Sequence, residues 1–430
     1  MRRLIYIFII GLLLCSYTWA DGSRYASKSL LSEGKWVKIR VDKTGIYKLS
    51  YADLKNMGFS DPSKVSVHGY GGWPLDEDFS KEYIDDVPST PVWRGSDYLL
   101  FYGKGPVKWE YDSSSQTFVH TNNPYSLYGY YFVTDATPTN DMTSVVQASG
   151  ATNRITTYDD YLVHEQELVS LAKSGRELYG EDFSGATPRT LSTFSSIPGI
   201  TNEDAKVTMS FVSKVTSGTG VASLSINQSN VLDVSIRSNR EEYVKALEGV
   251  STAVWKGEKS EKNSVVVSYN SASHNNVRLN YVRLHFKRTL QPYGAYTFFR
   301  SIASIGNVSR FVVQGANANT LVFDVTDAQR VRLMETELNG SELTFSIPAG
   351  TLREFVLVRT DQSFISPEVV GEVENQNLHA LEQKDMIIIA AKAFQTQAER
   401  LAEEHRATDG LTVEVVDPQS IYNEFSSGAP

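Results

Sequence analysis

Cysteine is nearly absent from this chain. Its 430 residues include one cysteine, Cys15, which lies within the first twenty residues. Those residues have the features of a removable leader, so the mature chain contains no thiol. Disulfide bonds, cysteine-ligated zinc and thiol catalysis are therefore excluded within residues 21–430. The constraint is strong because it depends on a count alone.

Basic residues are in the minority. The chain has 41 lysines and arginines against 50 aspartates and glutamates. Removal of Arg2 and Arg3 with the leader leaves 39 basic residues and a net charge of −11. Proteins that bind nucleic acid usually show a basic footprint, so we predict no nucleic-acid partner. The acidic balance is typical of a soluble protein in an extracellular or periplasmic space.

A long apolar run occurs once, over residues 4–14, directly after a basic start. Ala20 ends a stretch that has small residues at the positions recognised by a signal peptidase. We therefore predict a signal peptide over residues 1–20 and export through the inner membrane. The run is shorter than a membrane-spanning helix requires. A lipoprotein signal with Cys15 as the lipid-bearing residue is the alternative, but Leu14 stands where that signal needs a small residue.

The motifs of several familiar catalytic sites are missing as well. The run from His164 to Leu168 begins like the helix of a zinc protease, but Leu168 stands where the second histidine is needed. The glycine-rich run from His68 to Gly72 lacks the lysine of a phosphate loop, and we predict a turn with special backbone angles there. No Gly-x-Ser-x-Gly elbow is present. We therefore predict no catalytic, cofactor-binding or metal-binding residue and no cofactor.

Three weaker candidates stay open beside simpler explanations. The acidic runs at 76–78 and 85–86 suit calcium, but without EF-hand spacing a solvated acidic loop is the better interpretation. His405 lies on the apolar face of a predicted helix, where a packed core histidine is favoured over a ligand. The 23 tyrosines and 19 phenylalanines suit either a strand-rich chain or a carbohydrate-binding surface, and the first explanation is simpler.

Residues 21–134 are predicted to form an N-terminal β-rich domain. Apolar alternation on both sides of a polar turn predicts a hairpin over residues 36–49. Ser50, with Asp53 three residues later, predicts the N-cap of a short helix. Further strands are predicted at Asp97–Tyr102 and Tyr130–Val133.

A second β-rich domain, sandwich-like, is predicted over residues 205–366. Its predicted strands are Val207–Val212, Leu224–Ile226, Ser264–Tyr269, Val277–Lys287, Leu321–Val325, Leu343–Ile347 and Phe355–Val358. In the longest of them the apolar phase slips by one residue near Tyr281-Val282, which predicts a β-bulge. Residues 135–204 and 367–377 are predicted to be linkers.

The last part of the chain, residues 378–430, changes character. The run Asp385–Ala391 is apolar without alternation, which predicts a strand covered on both faces. A helix ending before Gly410 follows, and Leu411–Val416 forms a second strand that stops at Pro418. This β-α-β pattern implies a parallel sheet that needs more strands than two. We predict the start of an incomplete α/β domain whose first strand has unpaired edges.

The tail segments Gln376–Leu381 and Ile421–Gly428, which flank this unit, resemble the opening of a gingipain-type cysteine peptidase domain. Two upstream stretches, Val41–Leu49 and Ser174–Glu181, are similar to the sortase-type members of that family in the type IX secretion system of Bacteroidetes. The resemblance runs from about Ser29 to the end of the chain. The family's catalytic histidine and cysteine lie further along, so no catalytic residue is assigned here. We interpret the stretch from Ser174 to Phe183 as a linker that docks between domains.

The resemblance implies that the complete protein is an outer-membrane-associated cysteine endopeptidase at the cell surface, whereas residues 1–430 alone are expected to be inactive. Sortase-type members are implied to cleave a C-terminal sorting domain from secreted cargo and to pass the acyl group to lipopolysaccharide. They are also implied to work with outer-membrane components of the same system. Two alternatives remain: a non-catalytic exported adhesin or cargo-docking protein, and a gingipain-like peptidase that is itself cargo.

Overall fold

The computed structural model describes residues 25–430 apart from 79, 82–83, 174, 186 and 271–273. The predicted signal peptide with Cys15 lies outside these residues. The α-helices in the described part are α1 (Tyr51–Asn56), α2 (Gln395–Glu404) and α3 (Pro418–Phe425). Each helix of the described residues is too short or too polar to cross a membrane.

Strands dominate the described part of the chain. The first group is β1 (Trp36–Val41), β2 (Gly45–Ser50), β3 (Ser66–Gly71), β4 (Ser89–Thr90), β5 (Val92–Arg94), β6 (Tyr98–Gly103), β7 (Val107–Asp112), β8 (Thr117–Asn122) and β9 (Gly129–Thr134). The second group is β10 (Ser144–Val145), β11 (Asn153–Ile155), β12 (Thr157–Glu165), β13 (Arg189–Thr190), β14 (Ala205–Val215), β15 (Thr219–Ile226), β16 (Ser229–Arg237), β17 (Leu247–Trp255), β18 (Val265–Asn270) and β19 (His274–Thr289). The third group is β20 (Tyr296–Phe299), β21 (Ser309–Val313), β22 (Thr320–Asp324), β23 (Arg332–Met334), β24 (Glu337–Asn339), β25 (Glu342–Ile347), β26 (Phe355–Arg359), β27 (Glu368–Val373), β28 (Met386–Ile389) and β29 (Val413–Val416). The predicted mainly β fold class is confirmed.

The chain divides into two compact units, each assembled from segments that are distant in sequence. Among the described residues, unit 1 contains 25–107, Tyr125–Asp141 and Ser366–Pro430. Unit 2 contains Lys108–Pro124 and Met142–Ile365. The predicted peptidase start therefore shares a unit with the beginning of the chain.

Unit 1 is built on a five-stranded sheet in the order β27-β1-β9-β3-β4 and a three-stranded sheet in the order β2-β6-β5. Apolar side chains of β1, β2, α1, β3, β6 and β9 form its core. The predicted hairpin is wrong in its pairing, because β1 pairs with β9 and β27 while β2 pairs with β6. The turn between β1 and β2 carries the chain from one sheet to the other, and strand alternation cannot distinguish that from a hairpin.

One local prediction in unit 1 is confirmed, and a second is right about the backbone angles but wrong about the turn. The Ser50 hydroxyl accepts a hydrogen bond from the Asp53 backbone N–H at 3.0 Å, and the Asp53 carboxylate accepts one from the Ser50 N–H at 3.3 Å. This reciprocal capping box starts α1. The special backbone angles predicted in the glycine-rich run occur at Gly69 and Gly71, with φ of +134° and +89°. They lie in β3, where its pairing with β9 shifts register, and not in a turn.

Unit 2 contains two pairs of packed sheets, and each pair resembles a β-sandwich. Sheets β12-β19-β14-β17 and β13-β18-β15-β16 share one apolar core. Sheets β10-β23-β22-β26-β20 and β11-β21-β25-β24 share a second. The second core holds a cluster of phenylalanines, of which Phe311 and Phe345 stack at 5.1 Å between ring centroids. Aromatic residues thus supply strand-packed core, as the simpler explanation of the composition predicts.

The long strand β19 contains the predicted β-bulge. Tyr281 lies opposite Ser210 of β14, whereas the next residue of β14, Phe211, lies opposite Leu279. Asn280 is therefore the extra residue, one position before the predicted site. The bulge reverses the apolar face of β19 so that both halves supply side chains to the core.

The segment 135–204, predicted as a linker, contains β12, which pairs with β19 along its whole length. Strand β12 is difficult to predict, because aspartate is uncommon in strands and two of them, Asp159 and Asp160, are adjacent here. These acids are held by basic partners, among them His285 and Arg288. Similarly, β27 lies in the predicted linker 367–377 and pairs with β1.

The predicted β-α-β start of the last domain is confirmed. β28 pairs with β29 in parallel, α2 lies between them in sequence, and Gly410 follows with the left-handed φ of +69°. The prediction that the first strand is covered on both faces is wrong. Ile387 and Ile389 are 54% and 63% exposed. Among the described residues β28 pairs with β29 alone, which leaves one strand edge and one face without cover.

The helix α3 follows β29 and was not predicted. The Asp417 carboxylate accepts a hydrogen bond from the Gln419 N–H at 3.0 Å, and Pro418 occupies the first helical position. An aspartate cap followed by proline is a typical helix start, so the sequence carried a usable signal.

Candidate functional site

The described residues contain no group of three or more histidine, cysteine, aspartate or glutamate side chains arranged to hold a metal ion. The two acidic runs, predicted to be solvated loops in preference to a calcium site, have separate partners. Asp76 pairs with Lys81 at 2.5 Å in an exposed loop, and the Asp78 carboxylate accepts from Ser80. Asp85 and Asp86 instead face the beginning and the end of unit 1.

The zinc-protease-like run lies on strand β12 and not on a helix. His164 and Glu165 are neighbours on a strand, so they point to opposite faces. The His164 Nε2 atom lies 2.6 Å from Glu181, and Glu165 accepts from Asn122 at 2.7 Å and contacts the His120 Nε2 at 2.9 Å. Each histidine has a carboxylate partner, and the two pairs do not form a common site.

The structure gives a physical account of the family stretch from Ser174 to Phe183, of which Ser174 lies outside the described residues. Its second half runs beside β19: the Gly180 N–H donates to the Leu279 carbonyl at 2.8 Å, and the Phe183 N–H donates to the Val277 carbonyl at 2.9 Å. Glu181 also holds His164. This pairing with β19 is an isolated bridge and lies within unit 2, so the prediction of a linker that docks between domains is wrong.

The prediction of a packed core histidine at His405 is wrong. This residue follows the end of α2 in a π-helical turn, and its side chain is 30% exposed. Its Nδ1 lies 2.7 Å from the Asp409 carboxylate. The α-helix ends at Glu404, and a π-helical turn from His405 to Asp409 replaces the last turn of the predicted helix.

The candidate functional site is a buried cluster of charged side chains at the start of the peptidase-like segment, which we call the junction cluster. It consists of Asp85 and Asp86 in the loop before β4, His379 in the 3-10 turn Leu378–Ala380, and Glu424 in the last turn of α3. The side chains of His379 and Glu424 are both 0% exposed. All four residues belong to unit 1.

Glu424 is held by four hydrogen bonds. Its Oε1 accepts from the Gln376 side-chain amide at 2.8 Å and from the Leu378 N–H at 2.8 Å. Its Oε2 lies 3.0 Å from the His379 N–H and 2.5 Å from the His379 Nδ1. A buried carboxylate is costly unless its oxygens are satisfied in this way. Glu424 thus organises the turn that precedes β28.

His379 bridges two carboxylates. Its Nδ1 faces Glu424, and its Nε2 lies 2.8 Å from the Asp85 carboxylate. Because ionised carboxylates only accept, both ring nitrogens must donate, which makes the ring an imidazolium. Burial lowers the pKa of His379, but the hydrogen bonds to Asp85 and Glu424 outweigh it and the pKa is raised. The Phe425 ring stacks on the imidazole at 4.5 Å.

Asp86 completes the acidic side of the cluster. Burial raises its pKa, although its carboxylate accepts from the Leu30 N–H at 2.6 Å and from the Ser29 hydroxyl at 2.8 Å. The neighbouring charge of Glu424 raises the pKa further. The beginning of the described chain is therefore tied to the same cluster as its last helix.

Lys38 of β1 makes a second link to the C-terminal segment. Its ammonium donates to the Gly428 carbonyl at 2.7 Å and to the Asn423 side chain at 3.1 Å, and it lies 4.4 Å from the Tyr130 ring centroid. Burial lowers the pKa of Lys38 to about 8. Nearby, the Tyr70 N–H donates to the Ser427 hydroxyl at 2.9 Å.

The side chains of this site can hold distant chain segments together and can bind a proton. The junction cluster contains no thiol, and its carboxylates are saturated with hydrogen bonds. Sequence reasoning singled out the tail segments that contain His379 and Glu424 but missed their pairing, because 45 residues separate the two. Locally, His379 is an ionisable residue in a short turn and Glu424 is one in a helix. Neither position indicates which residue the side chain contacts.

Two comparisons identify the family of this segment. Residues 379–430 match Peptidase family C25. The chain is also similar to dimeric latent PorU from Porphyromonas gingivalis, with 32% sequence identity and a TM-score of 0.88 over 95% of this chain. The resemblance to gingipain-type cysteine peptidases is thereby confirmed. The match covers 39% of the PorU chain, so this chain spans about two fifths of that length.

Two further structural similarities are too weak to support an argument. The BuGH86 protein in complex with neoagarooctaose gives a TM-score of 0.17 at 10% identity over 60% of this chain and 32% of that chain. A Paenibacillus glucanotransferase complexed with cycloisomaltoheptaose gives 0.14 at 8% identity, over 49% and 45%. No curated protein matches the chain. The likeness to PorU extends over both units, and His379 and Glu424 both lie in the matched peptidase segment.

Proposed function

We propose that this chain is the N-terminal part of a gingipain-type cysteine endopeptidase that acts as a sortase of the type IX secretion system. The complete protein would remove the C-terminal sorting domain from secreted cargo and transfer the cargo to lipopolysaccharide. It would work at the outer membrane with other components of that system, after export directed by the signal peptide. The observation that carries the proposal is the similarity to PorU across 95% of the chain.

The extent of that similarity favours a sortase over other peptidases of the family. The match to Peptidase family C25 covers residues 379–430 and fits any member. The β-rich part upstream of residue 379 also corresponds to PorU, which favours the sortase branch over a peptidase that is itself cargo. It also favours a peptidase over a separate adhesin, because the β-rich part leads directly into the peptidase fold.

In the proposed reaction a cysteine thiolate, with histidine as general base, attacks the scissile carbonyl and forms an acyl-enzyme. Residues 21–430 contain no thiol, so they are expected to be inactive alone. Their role in the proposal is to carry the first two strands of the peptidase sheet. The exposed Ile387 and Ile389 support this role, since further strands and helices of a peptidase domain would cover them.

The test is to delete the gene in its host and to measure the mass of a secreted cargo protein. We expect the cargo to keep its sorting domain and to be released without lipopolysaccharide. The complete gene should restore processing, and a version limited to residues 1–430 should not. Normal cargo processing in the deletion strain would contradict the proposal and would favour an adhesin or docking protein.

A further inference from the structure

We propose that His379 is a positioning residue: as an imidazolium between Asp85 and Glu424, it fixes the start of the peptidase domain on the N-terminal part of unit 1, and this docking weakens when the ring loses its proton. The proposal deepens the proposed function, because it concerns how the peptidase domain is held. The docking itself is a property of the described residues and is testable without any peptidase activity.

The position of the junction cluster in the chain supports this role. His379 lies seven residues before β28, and Glu424 lies in the helix that follows β29. Their contact therefore closes both ends of the β-α-β unit at one point. Asp85 comes from the loop before β4 and also accepts from the Ala26 N–H at 2.6 Å. The imidazolium thus joins the peptidase segment to two stretches of the N-terminal part.

Deprotonation would remove the charge that makes this arrangement stable. A neutral imidazole has one donor and one acceptor nitrogen, so either Asp85 or Glu424 would face a lone pair in place of an N–H. The carboxylate that faces the lone pair keeps its other hydrogen bonds but loses a charge-assisted one, and this loss costs free energy inside the protein. Both ring nitrogens lie close to a carboxylate oxygen, at 2.8 Å from Asp85 and 2.5 Å from Glu424. The carboxylate that faces the lone pair therefore has little room to adjust its position.

The surrounding charges act in the same direction. Three carboxyl groups act electrostatically on His379: Asp85, Asp86 and Glu424. The Phe425 ring, which stacks on the imidazole, also lies 6.3 Å from the Tyr25 ring between centroids. Without the positive charge of His379, the carboxylates repel one another across the cluster.

The direction of the pH dependence follows from the raised pKa of His379. A group that binds its proton more tightly in the folded state stabilises that state fully below its unfolded pKa of about 6.5. The contribution is lost as the pH rises through the higher folded value. Docking should therefore be strongest at mildly acidic pH and weaken on the alkaline side.

The experiment uses residues 21–430 and two measurements across pH 5.5–9. The first is amide hydrogen exchange, expressed as protection factors, for residues 378–381 and 418–428. The second is the NMR titration of the His379 ring. In the wild type we expect His379 to titrate above 6.5 and protection in both segments to fall about tenfold as it deprotonates. His379→Gln should give low protection that no longer depends on this transition.

The matched control is His405→Gln, which removes the half-exposed histidine of the same segment and should leave the transition unchanged. Asp85→Asn is the milder variant if His379→Gln fails to fold, and it should lower the pH at which His379 titrates. A wild-type His379 that titrates below 6.5, or protection that is insensitive to its titration, would overturn the proposal. Normal cargo processing in the deletion strain would overturn the sortase function but leave these measurements unaffected.

Discussion

Strands β12 and β28 reverse the usual relation between composition and burial. β12 carries the adjacent acids Asp159 and Asp160, yet Asp159 is 1% exposed. β28 consists of methionine and three isoleucines, yet two of the isoleucines are more than half exposed. Each strand has one neighbouring strand, β19 for β12 and β29 for β28. The difference is in what packs against their side chains: the acids of β12 meet basic side chains such as His285 and Arg288, whereas one face of β28 has no cover among the described residues. In these two strands burial follows the available partners more closely than it follows hydropathy.

The largest effect is expected from removing the cation that supports the acids of β12. Arg300 is 1% exposed, its guanidinium bonds Glu354 at 2.8 Å, and it lies 3.5 Å from Asp160. Arg300→Met leaves both carboxylates without this partner. We expect unit 2 to lose about 3–5 kcal/mol in its free energy of unfolding, measured by urea denaturation.

The control for that experiment is Arg310→Met, which removes an exposed cation paired with exposed Glu337 in the same unit. It should change the unfolding free energy by less than about 1 kcal/mol. Equal effects of the two substitutions would show that burial of the β12 acids does not depend on Arg300.

The junction cluster tests the effect of charged partners within unit 1. Glu424→Gln keeps the size of the side chain but removes the charge that His379 faces. We expect unit 1 to lose about 2 kcal/mol, measured from its urea midpoint. The conservative control is Glu414→Gln on β29, whose carboxylate lies 3.9 Å from Lys384 near the surface. A stability loss as large in the control would remove the special role of Glu424.

A third test uses acid. Burial raises the pKa of Asp159, but hydrogen bonding from His285 and the charge of Lys287 outweigh it, so the pKa lies below its ordinary value. A carboxylate with a lowered folded pKa stabilises the protein above its unfolded pKa of about 3.9, and this contribution is lost as the pH falls through the folded value. Asp159→Asn should reduce the stability of unit 2 at neutral pH and flatten its decline below about pH 4.

That acid profile is measured by thermal unfolding between pH 2 and pH 7, with the exposed Asp327→Asn as control. The control should keep the wild-type profile. If Asp159→Asn also kept it, the charge of Asp159 would not contribute to folding and the account of β12 would be wrong.

The smallest effect is expected on β28. Ile387→Thr replaces an exposed isoleucine and should change the unfolding free energy of unit 1 by less than about 0.5 kcal/mol. Val413→Ala on the paired strand β29 removes a buried side chain and should cost about 1 kcal/mol. Light scattering should show less self-association in the Ile387 variant. A cost at Ile387 as large as at Val413 would indicate that this face is covered.

Local features were predictable from the sequence, and long-range ones were not. The capping box at Ser50, the bulge in β19 and the β-α-β order of the last segment depend on residues a few positions apart. The pairing of β1 with β27 and the contact of His379 with Glu424 join residues that carry no mutual signal in a single sequence. β12 was missed because its acids are neutralised by residues more than a hundred positions away, such as His285.

We infer that contacts with partner elements, and not apolar composition, protect the strands of this chain from hydrogen exchange. Amide hydrogen exchange of residues 21–430 at one fixed pH tests it most directly, with β12 and β28 compared in the same sample. We predict strong protection across the acidic strand Thr157–Glu165 and weak protection across the apolar strand Met386–Ile389. Protection of β28 equal to that of β12 in the monomer would contradict the account.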